Sequence, residues 1–405
     1  MVIKNTELTK QYWQENLNER AKFSLADHEL VDPVTNRGHV VSVQEITVPE
    51  HLPSNIIMSE IIVSDPFVEA DPIGYKIIKN HVENVIEPLG IEIGMDVAAD
   101  RTEATSLDER NPLTKAWLSD DALQSLSIWR ENVPTALALD YLTDPSPGKE
   151  ITAPDGRIAV STPETAAHWR FVADAIGIRT RKEAMSELTA GFLAERMKDN
   201  DATWLSLASG TAEPSLQAGI AAMDTANVRM KMVVTDHDGR ALKLVNGKAE
   251  ELGYNERGEV LTVRQNILAD NLPEILEADT GISQYTIVEN MGFEEYLPQD
   301  GDTMQAYKGQ GLPQASEFTK TAFDMVAPGG MLVSGNMVLP RPQLGFVFGA
   351  VDWPIINART EEDIIRVYQE AGIMDNPDAR VTMHRVIEEH SGLHIYNIVT
   401  VEKLT

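Results

Sequence analysis

Two short stretches of the chain have residue types and spacing that suit a nucleotide ligand. After an apolar run at 203–207, the sequence turns through the small residues ASGTA at 208–212 and continues as a helical pattern. A second apolar run, 230–234, leads to Thr235 and Asp236. This order of elements is that of the first half of a nucleotide-binding βαβ unit: a strand, a tight turn, a helix, a second strand and an acidic residue. Small residues admit a ligand close to the backbone, and the acid is placed to bind a ribose diol. The pattern therefore predicts an adenosine-containing cofactor.

The elements around these stretches follow a regular alternation of strands and helices. Candidate strands lie at 203–207, 230–235, 260–264, 284–289, 331–335 and 393–402, with helical patterns between them. Strands that alternate with helices indicate a mostly parallel sheet covered on both faces. An amphipathic helix, a Pro-Gly-Gly turn and a strand are expected in FTKTAFDMVAPGGMLVSGN, and 380–386 is expected to pair with the last strand as a hairpin.

The first half of the chain has a less regular pattern. Residues 1–35 predict a helix and a loop, 38–63 short strands, and 75–87 a helix. Thr162-Pro163-Glu164 is a favourable helix start, and two helices are expected between 162 and 199. We therefore predict an α+β domain over 1–160, a helical connector over 161–200 and the nucleotide-binding domain over 201–405.

The composition of the chain limits which binding partners and sites are expected. The 405 residues carry a formal charge of −29, and no strongly basic stretch interrupts this acidity. Such a surface repels phosphate backbones, so neither nucleic acid nor an anionic membrane is an expected partner. The chain has no cysteine, which excludes disulfides, thiolate metal sites and cysteine nucleophiles. The polar N-terminal stretch and the absence of a long apolar run favour a cytoplasmic protein. The histidines lack metal-ligand spacing, so no metal is expected.

Several motifs together resemble the class I S-adenosylmethionine-dependent methyltransferases over about 200–405. LSLASGTAE stands where that family has its glycine-rich first motif, VVTDHDGRAL is similar to its second motif, and VAPGGMLV is similar to its Pro-Gly-Gly turn. The expected C-terminal hairpin is also typical of this family and not of dehydrogenases. GFEEYL at 292–297, with DWPII and Arg359, resembles a bacterial subgroup of which some members form methyl esters of hydroxy fatty acids.

The resemblance implies a fold and a cofactor. The fold class is α/β: a Rossmann-like methyltransferase domain with a mostly parallel seven-stranded sheet and a C-terminal antiparallel hairpin, preceded by an α+β N-terminal domain. The implied cofactor is S-adenosylmethionine. The chain departs from the family at Ser206, where an acid is usual, and at Ala208 and Ala212, where glycines are usual. Alanine does not adopt positive φ without a conformational cost, so negative φ is expected at both alanines if the turn is kept.

The resemblance implies site residues at the positions that match the family's motifs. Asp236 is expected to bind the ribose, His237 and Asn266 to lie near the adenine, and the end of the fourth predicted strand to face the reacting group. The full set of expected cofactor-binding residues is Ala208, Ser209, Gly210, Thr211, Asp236, His237, Asn266, Ile267, Glu289, Asn290 and Met291.

Candidates for catalysis and acceptor binding are fewer. Glu289 is the candidate general base, and a carboxylate acceptor would need none. Arg179 and Arg181 could hold a carboxylate of the cofactor or of an acid substrate through forked hydrogen bonds, and Tyr296 is a third candidate for substrate contact. The expected acceptor is a small molecule, with a carboxylic acid or lipid-like compound favoured. Residues 1–160 are the candidate substrate-selecting cap, and a homo-oligomer is a further candidate state.

Three other functions remain compatible with the sequence. The first transfers the aminocarboxypropyl arm of the same cofactor, which releases methylthioadenosine in place of S-adenosylhomocysteine. The second is a dinucleotide oxidoreductase, which the incomplete GxGxxG pattern and the hairpin disfavour. The third is a non-catalytic protein with a degenerate fold, which the residues at 206, 208 and 212 keep open.

Overall fold

A computed structural model describes residue 25 and residues 28–91, 125–133, 135–198, 200–354 and 356–404. The chain divides into two compact units. The sheet unit comprises residues 37–64, 179–340 and 356–405, and the helical unit comprises residues 1–36, 65–178 and 341–355. Most of the helix and loop expected over 1–35 lies outside the described residues.

The sheet unit is built on one sheet of nine strands. In chain order the strands are β1 (His39–Ile46), β2 (Ile57–Ser64), β5 (Asp201–Leu207), β6 (Arg229–Asp236), β7 (Glu259–Arg264), β8 (Tyr285–Met291), β9 (Val326–Met337), β10 (Ala379–Glu388) and β11 (His394–Lys403), while β3 and β4 belong to the helical unit. Their spatial order is β1-β2-β10-β11-β9-β8-β5-β6-β7.

The expected parallel sheet and C-terminal hairpin are both present. β7, β6, β5, β8 and β9 pair in parallel, and β11 inserts antiparallel between β9 and β10. The hairpin registers Ala379 opposite Lys403 and Val386 opposite Tyr396. Because β5 has β6 on one side and β8 on the other, the strand order reverses there. The carboxyl ends of β5 and β8 thus form the topological switch point at which open α/β sheets bind ligands.

Residues 201–405 contribute seven strands to the sheet, and β1 and β2, from the first part of the chain, extend it to nine. β2 pairs in parallel with β10, with Ser59 opposite His384, and β1 follows antiparallel at the edge. Most of β2 is buried, as suits an interior strand, while β1 is largely exposed. No local pattern indicates a pairing between segments so far apart in sequence, so the strands expected within 1–160 could not be placed in this sheet.

Helices cover both faces of the sheet. One apolar cluster contains side chains of α9 (Leu272–Thr280), α10 (Ala315–Asp324) and α11 (Glu361–Glu370). The other contains side chains of α6 (Ala173–Arg196), α7 (Glu213–Ala226) and α8 (Gly239–Glu251). These two apolar clusters hold the helices against the sheet. The packing fixes the carboxyl ends of the parallel strands, and the loops that could bind a ligand begin there.

The expected Pro-Gly-Gly turn is present as a bulge. Tyr285 pairs with Val326 and Ile287 with Met331, so the Ala-Pro-Gly-Gly stretch at 327–330 projects out of β9. Gly329 has φ +76°, and a Cβ on Gly330 would lie 2.7 Å from the Thr286 carbonyl oxygen. Both glycines are therefore required by backbone geometry at this bulge.

The helical unit is made of short elements. They are α1 (Pro66–Ala70), α2 (Pro72–His81), a π-helical turn Val82–Ile86, a short turn Glu87–Leu89, α3 (Ser125–Arg130), α4 (Ala136–Thr143), the hairpin β3 (Glu150–Thr152) and β4 (Ile158–Val160), α5 (Pro163–Phe171), the start of α6 and a π-helical turn Phe346–Ala350. The helix expected at 75–87 is thus largely present. The helix start at Thr162 is also confirmed, since its side chain accepts a hydrogen bond from Thr165 N.

Residues 341–355 belong to the helical unit although the sequence around them forms the sheet. Gln343 Oε1 accepts a hydrogen bond from Ala173 N at 2.9 Å, and Arg341 pairs with Asp174. Arg130 donates to the carbonyl oxygens of Val351 and Asp352 at 2.6 and 2.7 Å. The DWPII stretch, which contributed to the sequence resemblance, therefore begins in this unit.

Candidate functional site

The turn after β5 has an unusual backbone. Ala208, Gly210 and Ala212 have φ values of +49°, +58° and +53°. The negative φ expected for the two alanines is therefore wrong. Left-handed backbone costs a residue with a Cβ about 1–2 kcal/mol. Strain of this kind persists only where neighbouring structure holds it, and it clusters at binding sites.

Hydrogen bonds to β6 hold this turn in place. Ser209 donates from both its backbone N and its Oγ to the Thr235 carbonyl oxygen, at 3.0 and 3.1 Å. Thr235 in turn donates from Oγ1 to the Ser206 carbonyl oxygen at 2.9 Å. The ends of β5 and β6 are thus tied together through main-chain carbonyls. These bonds offset part of the strain in the turn.

Asp236, the predicted ribose ligand, meets the turn directly. Its Oδ2 accepts a hydrogen bond from Gly210 N at 2.9 Å, and its Oδ1 accepts one from Asp238 N at 2.8 Å. Only 6% of Asp236 is exposed. His237 Nδ1 lies 3.3 Å from Asp236 Oδ1, but its side chain is 89% exposed. The structure therefore brings Gly210 and Asp236 together and leaves His237 at the surface beside them.

The end of β7 lies next to Asp236. Gln265 N donates to the Asp236 carbonyl oxygen at 3.1 Å. Asn266 follows, exposed, with Oδ1 accepting a hydrogen bond from Leu268 N at 3.0 Å, and Ile267 is buried. Asn266, which is predicted to lie near the adenine, thus directly follows a residue that bonds to the predicted ribose ligand, although Asn266 Oδ1 already has one partner.

The end of β8 places a carboxyl group in the protein interior. Glu289 is 3% exposed, and its Oε2 accepts hydrogen bonds from Ser206 Oγ and, at 2.8 Å, from Ser215 Oγ. Burial raises the pKa of Glu289, against the opposing effects of these two hydroxyls and of Arg181. Ser206, which stands where the resembling methyltransferases usually have an acid, is therefore the direct neighbour of an acid on the adjacent strand, since Ser206 registers opposite Glu289.

Asn290 and Met291 complete the end of this strand. Asn290 is 1% exposed, and its Oδ1 accepts no hydrogen bond from the residues that the structure describes. A buried acceptor without a partner is costly in a folded protein. Met291 is half-buried and packs against the cluster under α6 and α7. The orphaned Asn290 oxygen is thus a candidate acceptor for a donor on a ligand.

The two predicted arginines have different surroundings. Arg179 is 2% exposed. Arg181 is half-buried, with its guanidinium carbon 4.3 Å from the centre of the Tyr396 ring on β11. The third substrate candidate, Tyr296, is half-buried with its ring centre 6.4 Å from that of Phe293, an aromatic packing contact. Of the three, Arg181 has the surroundings best suited to a ligand.

A second group of buried charges, which the sequence did not predict, lies in the loop after β8. Glu294 accepts hydrogen bonds from Thr319 Oγ1 and Ser334 Oγ at 2.9 and 3.0 Å. Arg359 is fully buried and donates to Asp302 Oδ2 and Asn336 Oδ1 at 2.9 and 2.8 Å. We call these residues the Arg359 cluster.

The Arg359 cluster explains two motifs of the sequence resemblance. Burial raises the pKa of Glu294, and it raises the pKa of Asp302 to about 6, with Arg359 opposing both shifts. Arg359 also donates to the Leu297 carbonyl oxygen at 2.9 Å. Glu294 and Arg359 thus hold the 292–302 loop against β9 and α10. The sequence resemblance includes both GFEEYL and Arg359. It does not show that these residues hold the loop in place.

Several solved structures are similar to the chain at low sequence identity. No family model and no curated protein sequence matches the chain. Solved structures that are similar include a possible exported protein from Bordetella parapertussis, with 16% identity and a TM-score of 0.46 over 67% of this chain and 80% of that one. An O-methyltransferase family protein from Burkholderia thailandensis has 15% identity and a TM-score of 0.37 over 59% and 60% of the two chains. The O-methyltransferase from Bacillus cereus in complex with SAH has 13% and 0.34 over 54% and 81%. Likenesses this distant do not assign a function.

In the part of the chain that the structure describes, no helix is both long and apolar enough to cross a membrane. Within the same residues, no cluster of three histidine, aspartate or glutamate side chains has a geometry that could hold a metal ion.

Proposed function

We propose that this chain is an S-adenosylmethionine-dependent methyltransferase that acts on a small-molecule acceptor. The observation that carries the proposal is the hydrogen bond from Gly210 N to Asp236 Oδ2, which joins the small-residue turn to the acid after the next strand. This junction lies beside the switch point of the sheet, where ligands bind in open α/β folds. The β10–β11 hairpin, which the family resemblance implies and dehydrogenases lack, supports the same choice.

The residues at this edge are chemically suited to the cofactor. Each Asp236 oxygen accepts one backbone hydrogen bond and keeps capacity for one more, which matches the two hydroxyls of a ribose. Asn266, Ile267 and His237 would border the adenine, and residues 208–211 would offer backbone to the ribose and the amino-acid arm. Asn290 Oδ1 would gain the donor it lacks from the cofactor's ammonium group.

The protein's own contribution is placement and exclusion of water. When bound, S-adenosylmethionine supplies a methyl group on a sulfonium, which an acceptor displaces in line. The chain then needs to hold the acceptor atom about 3 Å from that methyl group and opposite the sulfur. For a carboxylate acceptor no proton has to be removed. For a hydroxyl or amine a base is needed, and Glu289 is the candidate in the sequence.

The surroundings of Glu289 favour a structural role over that of a base. A base must reach the acceptor's proton directly or through one water. The Glu289 carboxyl group is buried, and one of its oxygens accepts hydrogen bonds from two serine hydroxyls. We therefore propose that Glu289 ties β5, β8 and α7 together. This assignment in turn favours an acceptor that needs no base, such as a carboxylic acid.

Titration of the purified protein with S-adenosylmethionine, S-adenosylhomocysteine and NAD tests the class. We expect saturable binding of the first two and none of NAD. Binding of NAD alone would replace the proposal with an oxidoreductase. Folded protein that binds none of the three ligands would favour the alternative of a non-catalytic protein, whose strained turn binds no cofactor.

Product analysis tests the reaction type. The protein is incubated with S-adenosylmethionine and a panel of saturated and hydroxylated carboxylic acids, and the nucleoside products are separated by chromatography and mass spectrometry. S-adenosylhomocysteine that accumulates with acceptor supports methyl transfer. Methylthioadenosine in its place would mean that the aminocarboxypropyl arm is transferred.

A further inference from the structure

We propose that Arg181, stacked on Tyr396, is a preformed binding site for a ligand carboxylate at the carboxyl ends of β8 and β9. This inference rests on the proposed function. It names the chemical group, a carboxylate, that binds at the ends of β8 and β9. Four features of the sheet unit carry it: the contact with the Tyr396 ring, the absence of a hydrogen-bond partner among the described residues, the two glycines around the side chain and the position relative to the strand ends.

The guanidinium of Arg181 lies over the Tyr396 ring. Its central carbon lies 4.3 Å from the centre of the Tyr396 ring, close enough for both cation–π attraction and van der Waals contact. A stacked guanidinium keeps its N–H groups in the plane, where they can donate in pairs. The contact with the ring therefore attracts the guanidinium without using its hydrogen-bond donors.

No described residue accepts a hydrogen bond from the guanidinium of Arg181. Among the described residues, Arg181 forms no side-chain hydrogen bond and no ion pair, and Glu289 is the acid whose pKa it lowers through space. The two hydroxyls on Glu289 show that this acid is already satisfied. A half-buried arginine that donates to none of the described residues is suited to a planar oxyanion, which accepts two parallel N–H bonds.

Two glycines leave room for the side chain. A Cβ on Gly292 would lie 2.5 Å from Arg181 Nη1, and one on Gly335 would lie 3.3 Å from Arg181 Cδ. Gly292 directly follows β8, while Gly335 on β9 pairs with Met291. The absence of side chains at these strand ends therefore accommodates the arginine at the edge where a ligand is expected.

The position separates Arg181 from the nucleotide end of the site. Asp236 and Gly210 lie at the ends of β6 and β5, whereas the contacts of Arg181 lie on β8, β9 and β11. A carboxylate here can come from two sources, the amino-acid arm of the cofactor or the acceptor. Both are carboxylates, and matched ligands distinguish them.

The experiment compares wild-type protein with Arg181→Met and Arg181→Lys by calorimetric titration. The ligands are S-adenosylhomocysteine, which has the carboxylate, and methylthioadenosine, which lacks it. Sodium octanoate is titrated as an acid probe into protein alone and into protein saturated with S-adenosylhomocysteine. Loss of a charge-assisted pair is expected to weaken the relevant carboxylate by at least about tenfold.

Each source predicts its own pattern. If Arg181 holds the cofactor's carboxylate, Arg181→Met weakens S-adenosylhomocysteine and leaves methylthioadenosine unchanged. If it holds the acceptor's carboxylate, both nucleosides bind as in wild type and octanoate binding is lost. Lysine keeps the charge but not the planar fork, so Arg181→Lys is expected to restore only part of the affinity in either case.

Controls separate this site from general charge effects and from the proposed function. Arg196→Met removes a cation from the same helix, where Arg196 pairs with Glu402, and should change none of these affinities. Tyr396→Phe keeps the ring and should bind as wild type, if circular dichroism shows it folded. Wild-type protein that binds neither nucleoside contradicts the methyltransferase proposal. Wild-type protein that binds them, with all carboxylate affinities unchanged in Arg181→Met, overturns the Arg181 site alone.

Discussion

The two halves of the sheet's carboxyl edge use acidic side chains in opposite ways. At the ends of β5 and β6, Asp236 is held by two backbone N–H groups, and the described residues place no arginine or lysine against it. In the loop after β8, Glu294 and Asp302 are buried with serine, threonine and arginine partners around them. An acid whose hydrogen bonds come from the main chain keeps oxygens available for a ligand, whereas acids surrounded by side-chain donors hold the fold.

The difference extends to the backbone. The β5–β6 side concentrates left-handed residues with a Cβ in one tight turn, while the β8–β9 side concentrates buried charge. In the first region, the left-handed turn accompanies the hydrogen bond from Gly210 N to Asp236 Oδ2. Charge in the second is explained by the need to fix a loop whose own sequence is poor in apolar residues.

The largest effect is expected from Arg359→Met, which removes the cation of the Arg359 cluster. Glu294 and Asp302 would remain buried without their shared partner, and breaking a buried pair in this way costs about 3–5 kcal/mol. Urea unfolding followed by circular dichroism measures the loss. Arg380→Met, which breaks an exposed pair with Glu402, is the control and should cost less than about 1 kcal/mol.

A loss from Arg359→Met no greater than from Arg380→Met would show that the cluster is not a structural anchor. The contrast between the two halves of the sheet edge would then fail, because the Arg359 cluster would not hold the fold.

The next effect concerns pH. The pKa of Asp302 is raised from 3.8 to about 6 in the folded protein. Between these values the folded state binds the proton more readily than the unfolded state, so this group adds stability as pH falls from 6 towards 3.8. The slope is about 1.4 kcal/mol per pH unit.

Urea unfolding of wild type and Asp302→Asn at pH 7 and pH 5 tests that sign. The destabilisation caused by Asp302→Asn is expected to be larger at pH 5 by about 1 kcal/mol. Asp300→Asn, an exposed acid of the same loop, should show no such difference. A smaller penalty at pH 5 than at pH 7 would mean that the folded protein lowers the pKa of Asp302 instead of raising it.

The smallest effect is expected in the turn. Ala208→Gly relieves a left-handed alanine, and the relief exceeds the entropy that glycine loses on folding, so a gain of about 0.5–1 kcal/mol is expected. Ala218→Gly, in the middle of α7, should instead lose about 1 kcal/mol. The midpoints of urea unfolding compare the two. Equal losses from both substitutions would contradict the strained conformation of Ala208.

The sequence predicted the elements around the β5–β6 edge well, because their signals are local. Apolar runs, a small-residue turn and a following acid each lie within a few residues, and the structure joins Gly210 to Asp236. The strands at 230–235 and 260–264 and the C-terminal hairpin are present within a few residues of their expected bounds. Local periodicity is sufficient where neighbours in sequence are neighbours in the sheet.

Other features depend on contacts between distant segments and could not be predicted. The pairing of β2 with β10 and the helical-unit contacts of Arg341 and Gln343 leave no local pattern. The burial of Glu289 also depends on Ser206 and Ser215 from other elements, so its pKa and its suitability as a base were not visible in the sequence. The left-handed φ of Ala208 and Ala212 contradicts residue propensity, as strained sites do.

The most direct test of the central claim is calorimetric titration of S-adenosylhomocysteine into Asp236→Asn and Asp238→Asn. Asparagine at 236 keeps an oxygen for Gly210 N but loses the second carboxylate oxygen, and asparagine at 238 still caps α8, whose first turn Asp238 now caps through Arg240 N. We predict that Asp236→Asn binds at least about tenfold more weakly than wild type, while Asp238→Asn stays within about threefold. Equal affinity of wild type and Asp236→Asn would contradict the assignment of this edge as the cofactor site.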